Sequence, residues 1–472
     1  MVKQSIEIQM KNILSIALLL ITIYSYINSP QEINMNFMWF QVIIMLCSLI
    51  LFFTRKDDGS LKKDTLRLSV IFIIGHIIVY FQKDIDFLMG YTDMSNRIIW
   101  YDTKVICKCM IISNLALQCF MLGYLFRKNK QAKVVKDNIR YSFKNVNTLN
   151  IFAITLLSLF LIFVNKSWLL GGYGKYDMGI IADYCYRFAQ GFLTASLALN
   201  SLQYRTHFSD KPTKTYFHYM KPQLIMSIVF VVLISISGAR HLAILMFFIN
   251  LIAFTYATRY KLKIRQIILG VIIFGTLITV RGITRRSDYS GNLSSIELSE
   301  SIIPFTEELS SSVMTLHAAV SFVPDKYPYN YGITLLPKPF LIIPGMSSVI
   351  QSLMGLDAVT ANSGGLITTW VLGDNPSFGM GSCSIADIYI CFGILGVILV
   401  FFVWGIFIRY IENGLSIIGK TSPYFIIIAF VTYSQALYVS RESLLTTLQG
   451  IAYPLIFCFL FCNVKKNNVN KF

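Results

Sequence analysis

The sequence predicts an all-α membrane protein that crosses the bilayer many times, and three observations favour this fold class. Hydrophobic residues make up 55% of the 472 residues and charged residues only 14%, whereas soluble globular proteins average about 25% charged residues. Twelve apolar runs approach or reach the length that crosses the hydrocarbon core of a bilayer. The loops between these runs are alternately rich and poor in Lys and Arg, as in polytopic membrane proteins.

The twelve predicted transmembrane helices are joined by short connections, with one exception. They lie near residues 12–28, 37–54, 67–82, 105–126, 150–164, 181–202, 222–237, 241–258, 266–281, 384–408, 422–440 and 445–463. The first run lacks a small-residue cleavage site, so we expect it to be retained as a span. The seventh and eighth runs are separated only by Gly238, Ala239 and Arg240, which predicts a tight turn.

Charge distribution predicts the orientation of these helices. The loops that begin near residues 55, 127, 203 and 259 are all basic, and a cytoplasmic N-terminus places every one of them, together with the C-terminus, in the cytoplasm. About 27 of the 41 Lys and Arg then face the cytoplasm. The net charge of +17 is thereby explained as a topology signal, and nucleic-acid binding is not needed to account for it.

The exceptional connection runs from residue 282 to residue 383 on the predicted outer side. Loops of this length are usually functional. The spacing of Val313, Leu316 and Val320 predicts a helix, and residues 335–356 are expected to form proline-punctuated segments followed by an interfacial amphipathic helix. The predicted organisation is therefore helices 1–9 in residues 1–281, a small helical cap in 282–383, and helices 10–12 with a cytoplasmic tail in 384–472.

Arginines recur on the predicted outer side, where basic residues are otherwise sparse. They are Arg187, Arg240, Arg281, Arg285, Arg286 and Arg441. A cation near membrane depth needs an anionic or water-filled partner, and guanidinium binds phosphate oxygens in a bidentate manner. These arginines therefore predict a binding site for a lipid-linked phosphate or pyrophosphate. The alternative is that Asp183–Arg187 and Arg441–Glu442 are only local ion pairs.

Other candidate functional residues belong to the cap. His317 is a candidate base for a sugar hydroxyl, although it could equally be a surface histidine of an amphipathic helix. Tyr327 and Tyr329 suit stacking on sugar faces, and they equally suit interfacial anchoring. The outer carboxylates cannot be ranked from sequence. The nine Cys and five His show no metal-ligand spacing, and there is no nucleotide-binding loop, so neither a metal nor a cofactor is expected.

One stretch after the long loop matches a known pattern, in which a Gly-rich approach leads to Ser, an acidic residue, Tyr and Phe-Gly at the start of a helix. The matching positions are Gly379, Gly381, Ser384, Asp387, Tyr389, Phe392 and Gly393. Together with "YNYGITLLPKPFLIIPG" and the Arg of "SGAR", this layout resembles the Wzy-type O-antigen polymerases, relatives of the O-antigen ligases in the second class of GT-C glycosyltransferases. The resemblance covers roughly residues 220–445, and it departs at Asp387, where that family more often has Glu.

The resemblance implies an enzyme of the bacterial inner membrane that joins oligosaccharide units carried on undecaprenyl pyrophosphate at the periplasmic face. Its partners would be the lipid-linked donor and acceptor and membrane lipids, with a chain-length regulator left open. By this resemblance Arg240, Arg281 and Arg441 bind pyrophosphate in place of a metal, Arg285 is a reserve, and His317 orients or deprotonates the acceptor.

Three alternatives remain at this stage. An O-antigen ligase has the same layout. A lipid-linked oligosaccharide flippase would have short loops throughout and charges in both halves, and a membrane scaffold would tolerate loss of the outer arginines.

Overall fold

The computed structural model confirms an all-α polytopic membrane protein. It describes residues 2–468 apart from 56–65, 96–99, 127–138, 171–176, 209–212, 264, 267–269, 271–300, 358–360, 377 and 417–421. Within these residues, seven helices are long and apolar enough to cross a membrane, or eight if the α8–α9 pair defined below, bent by 74°, counts as one span.

The helices up to residue 258 correspond to the first eight predicted spans and two short additions. They are α1 (Val2–Ile27), α2 (Met35–Phe53), α3 (Leu68–Leu88), α4 (Ile106–Phe126), α5 (Val146–Phe163), α6 (Lys166–Leu169), α7 (Ile180–His207), α8 (Thr213–Tyr219), α9 (Lys221–Ser237) and α10 (Arg240–Thr258). The predicted ninth span, 266–281, falls almost wholly outside the described residues.

The C-terminal helices complete the pattern. They are α11 (Glu307–Ser310), α12 (Val313–Phe322), α13 (Met346–Leu353), α14 (Ser363–Leu372), α15 (Ser384–Ser416), α16 (Pro423–Gln435) and α17 (Thr446–Phe461). The last three correspond to the predicted spans ten to twelve. Single turns of 3-10 helix occupy Thr103–Val105 and Pro304–Thr306, and a longer one occupies Lys338–Ile342.

The chain forms two compact units. Unit 1 contains Met1–Lys130, Leu298–Ile411 and Leu437–Thr446, and unit 2 contains Gln131–Glu297, Glu412–Ala436 and Thr447–Phe472. The division of the chain at residues 281 and 383 stays a prediction. The described part of the long loop belongs to unit 1, where it forms α11–α14.

Unit 1 is built around α4, a helix that is buried along most of its length, whereas α1 is mostly exposed. Polar side chains connect the helices inside this apolar core. Asn114 of α4 donates to Gln41 of α2 at 3.0 Å, and Gln118 donates to Thr22 of α1 at 3.0 Å. In a bilayer such interhelical hydrogen bonds add to van der Waals packing as the source of helix association.

Glycines allow α4 and α15 to cross at backbone contact. A Cβ placed on Gly123 would strike the carbonyl of Phe402, and a Cβ on Gly405 would strike the carbonyl of Phe120. Small residues at membrane helix crossings permit this close approach. The crossing fixes α15 against the central helix of unit 1.

Unit 2 packs α5 along α7 and α10 against α7, α9 and α16. The ring of Phe192 in α7 stacks on Phe457 of α17 at 3.8 Å between centroids. The structure also contains a feature that the sequence did not predict, a two-stranded antiparallel ribbon of β1 (Ile139–Lys144) and β2 (Asn463–Asn468). This ribbon joins the segment before α5 to the segment after α17.

Candidate functional site

The cap is attached to the end of α3 by a set of buried hydrogen bonds. Gln82 donates to the hydroxyl of Ser301 at 2.8 Å and accepts from Thr306 at 2.7 Å. Asp86 accepts from the Ser301 hydroxyl at 2.6 Å and from the backbone N–H of Ile302 at 3.0 Å. Because Gln82 and Asp86 both have partners, their burial at this helix end is compatible with a stable fold.

Next to this attachment lie two cation–carboxylate pairs, which we call the cation–carboxylate site. Lys83 of α3 contacts Glu307 at 3.4 Å, and Arg441 contacts Glu308 at 3.0 Å. The two pairs differ in burial, since Lys83 is buried while Glu308 is exposed. The consecutive glutamates at the start of α11 thus bring a lysine and an arginine from distant parts of the sequence to one helical turn.

The backbone that carries Arg441 is held on both sides. The phenol of Tyr80 donates to the carbonyl of Ser440 at 2.8 Å, and the N–H of Ser384 donates to the same carbonyl at 3.1 Å. The N–H of Ile385 in turn donates to the Tyr80 oxygen at 3.1 Å. The turn that presents Arg441 is therefore fixed to α3 and to the start of α15.

The guanidinium of Arg441 itself is less constrained than its backbone. With the described residues it makes one side-chain hydrogen bond, to Glu308, and 31% of the side chain is exposed. Burial raises the pKa of the neighbouring Glu442 carboxyl, and Arg441 opposes this shift. A carboxyl with a raised pKa keeps its proton to higher pH and competes less for the arginine. Arg441 thus has N–H groups available for an incoming anion.

A second charged cluster lies where α15 begins. The ammonium of Lys338 contacts both oxygens of Asp387, at 2.9 and 2.7 Å, and the hydroxyl of Ser363 donates to one of them at 2.6 Å. Asp387 is 1% exposed and Lys338 13%. This Lys338–Asp387 pair connects the 3-10 helix of the cap to α15, and Ser363 adds the start of α14.

The helix of α15 is broken at Gly393, and the tyrosine-rich segment of the cap fills the break. Gly393 has φ 61° and ψ −156°, a conformation almost restricted to glycine. The N–H groups of Asn330 and Tyr331 donate at 3.1 Å to the carbonyls of Ile390 and Cys391, one turn before the break. A Cβ on Gly393 would lie 2.9 Å from the ring of Tyr329. The glycine of the quoted sequence pattern therefore allows the cap to pack against the break in α15.

The other cap residues that the sequence predicts for the site differ in how far they are buried. His317 is completely buried in α12, with its ring parallel to Trp100 at 6.0 Å, so the surface position that we considered for it is wrong. Tyr327 stacks on Trp370 at 4.9 Å and remains partly exposed, whereas Tyr329 packs against Gly393. Of these three side chains, Tyr327 has the largest exposed surface that a sugar could reach.

Of the remaining predicted arginines, Arg187 and Arg240 belong to unit 2. Arg187 donates to Asp183 at 2.8 Å and to Gln449 at 2.8 Å. Arg240 is the first residue of α10, just after Gly238 at φ 91°, which confirms the tight turn. Arg281, Arg285 and Arg286 lie outside the described residues. Their assignment to pyrophosphate binding stays a prediction.

Sequence reasoning singled out neither Lys83 nor Lys338, and it did not rank Glu307 or Glu308 among the outer carboxylates. Lys338 is the single charged residue between Lys326 and Asp357, and its isolation in an apolar stretch was a signal that its ammonium is paired. Glu308 carried no such signal, because it is one of many outer carboxylates. No group of three His, Cys, Asp or Glu that could hold a metal ion occurs in the part of the chain that the structure describes.

Comparison with known proteins identifies the family. The family model of the O-antigen polysaccharide polymerase Wzy matches residues 10–471, nearly the whole chain. The chain belongs to this family. Membership makes it a multi-pass membrane protein and a polymerase of the glycosyltransferase type, consistent with the resemblance drawn from residues 377–406. No curated protein and no solved structure matches the chain.

Proposed function

We propose that this polymerase joins oligosaccharide units carried on undecaprenyl pyrophosphate, at the periplasmic face of the bacterial inner membrane, with both termini in the cytoplasm. Family membership supports the polymerase, and the alternation of basic loops supports the orientation. The observation that carries the proposal is the cation–carboxylate site, where a fixed turn presents a partly exposed arginine beside an exposed carboxylate.

In this proposal Arg441 binds the pyrophosphate of the donor. Its present partner Glu308 is 55% exposed, and an ion pair in contact with water contributes little free energy. A pyrophosphate can therefore replace the carboxylate at low cost. Guanidinium then stabilises the charge that develops on the departing pyrophosphate, because its N–H groups are already oriented.

Glu308, once displaced from Arg441, is placed to act as the general base. The acceptor hydroxyl gives its proton to the Glu308 carboxylate while its oxygen forms a bond to the anomeric carbon of the donor. The bond between that carbon and the pyrophosphate oxygen breaks, and undecaprenyl pyrophosphate leaves with the electron pair. Complete burial makes His317 less suited to this step, and its predicted role as base becomes the second choice.

The remaining outer arginines extend the same proposal. Arg240, Arg281, Arg285 and Arg286 are proposed to add positive charge for the second lipid-linked substrate, and Tyr327 to contact a sugar ring. A chain-length regulator remains a proposed partner. The family match supports lipid-linked oligosaccharide substrates in general.

The test is reconstitution of the full chain in proteoliposomes with undecaprenyl-pyrophosphate-linked units and no nucleotide. A ladder of products with release of undecaprenyl pyrophosphate supports the proposal. Movement of the substrate between leaflets without a ladder would favour a flippase. Transfer of glycan only to an added lipid A core would favour a ligase.

The role of Glu308 is tested separately in the same assay. Glu308→Gln should lower the rate of polymerisation about 10²–10⁴-fold, the usual contribution of a general base. Asp325→Asn is the matched control, since it removes another exposed carboxylate of the cap. Equal rates for the two variants would mean that a group other than Glu308 acts as the general base. His317→Gln is then the variant to examine next.

A further inference from the structure

A segment of the cap exposes an apolar surface although it is not part of a transmembrane helix. Residues 339–356 contain no charged side chain. Large apolar side chains are exposed along this stretch, and Leu353 at the end of α13 is the most exposed of them, at 78%. The other exposed large apolar side chains of residues 333–356 are Ile333, Leu336, Phe340, Leu341, Ile343 and Val349. Contiguous apolar surface of this kind marks a contact with a partner or a membrane.

Lys338 is the one charged residue of 333–356, and it is turned away from the exposed side chains. Its ammonium contacts Asp387 of α15, and the lysine side chain is 13% exposed. The ion pair therefore removes the ammonium from the exposed side of the segment. It also fixes the segment at the level of the first turn of α15.

The apolar surface continues onto a helix that faces lipid. A Cβ on Gly332 would lie 3.2 Å from the ring of Phe392, so the residue immediately before the segment touches α15 at this half-exposed phenylalanine. Along the same helix Leu395 is 76% exposed and Leu399 is also exposed. Since α15 is apolar and long enough to span the membrane, these side chains meet acyl chains. The exposed side chains of the cap segment extend that lipid-facing surface.

We propose that residues 333–356 lie within the bilayer interface on the side of the cap, with Val349 and Leu353 of α13 in contact with lipid acyl chains. An amphipathic helix in this position buries its apolar face at the boundary between headgroups and acyl chains. The Lys338–Asp387 pair holds the segment at the correct depth. The partner is the lipid of the bilayer itself, and this inference does not depend on which side of the membrane the cap occupies.

The experiment places a tryptophan at the end of α13 in the full-length protein and measures its surroundings in nanodiscs. Emission of Leu353→Trp is compared with that of the parent chain, in lipid brominated near the top of the acyl chains and in the presence of iodide. We expect the emission that the new tryptophan adds to be blue-shifted. The brominated lipid should quench it, and iodide should not. Asp325→Trp, on an exposed charged position of the cap, is the control and should show the opposite pattern.

Two results overturn the proposal. Quenching of Leu353→Trp by iodide alone would place α13 in water. Protection from both quenchers would show that a second protein surface covers the segment. Val349→Trp, on the same helix, repeats the measurement with a different side chain, so that the outcome does not rest on the folding of one variant.

Discussion

Two residues of the cap, Glu308 and Lys338, each form an ion pair with a distant segment, and the pairs differ in burial. Lys338–Asp387 is buried, with exposures of 13% and 1%, whereas Arg441–Glu308 is open, with 31% and 55%. A buried pair is costly to break, because the remaining charge stays desolvated. An open pair is easily exchanged for another anion. We therefore propose a structural role for the first pair and substrate binding for the second.

The largest effect on stability is expected from breaking the buried pair. Lys338→Met leaves the Asp387 carboxylate buried without its cation and should lower the free energy of unfolding by about 3–5 kcal/mol. Thermal unfolding of the purified protein measures this change. Lys104→Met removes an exposed lysine of the same unit as a control. Adding Asp387→Leu to Lys338→Met should restore part of the loss, and no restoration would contradict the explanation.

The largest effect on activity is expected from the open pair. Arg441→Ala should lower the rate of polymerisation about 10²–10³-fold, the loss typical of removing one donor to a developing anion. Its unfolding temperature should stay close to that of the parent. The polymerisation rate of Arg441→Lys should lie between those of Arg441→Ala and the parent, because an ammonium does not bind phosphate in a bidentate manner. If Arg441→Ala polymerises at the parent rate, Arg441 does not bind the substrate.

A smaller effect is expected where the cap fills the break in α15. Gly393→Ala should destabilise the fold by about 1–3 kcal/mol, the cost of a backbone conformation reserved for glycine, and it meets Tyr329 as well. Gly345→Ala is the control, since Gly345 also has a positive φ, 77°, but has open space around it. Gly345 has a less restricted ψ of −17°, against −156° at Gly393. Equal unfolding temperatures for the two variants would therefore mean that neither the backbone conformation of Gly393 nor its contact with Tyr329 adds to the cost.

The smallest effect is expected in unit 2. Arg187 and Asp183 are neighbours on one helix and both partly exposed, so Arg187→Ala should change the free energy of unfolding by at most about 1 kcal/mol. Polymerisation should stay close to the parent rate. A loss as large as that of Arg441→Ala would restore the substrate-binding role that the sequence predicts for Arg187.

Much of the architecture was predictable from the sequence, because the length and hydrophobicity of a span are local properties. Eleven of the twelve predicted spans coincide with helices in the described residues. The backbone of a segment in lipid must satisfy its own hydrogen bonds, so a long apolar run has little choice but to be a helix. Arg441 could likewise be singled out from the sequence, because the charges of the loops predict that it lies on the non-cytoplasmic side, where basic residues are sparse. Its role stays a proposal.

The surroundings of the candidate residues were decided only by the tertiary structure. Glu308 lies 133 residues before Arg441, and Lys338 lies 49 before Asp387, so no local pattern could pair them. The helix of His317 was predicted from Val313, Leu316 and Val320, yet nearly all of it is buried, because α3, α4 and α14 pack around it. Sequence thus determined which segments enter the membrane. Packing between distant segments determined which charges are buried and which remain available to a substrate.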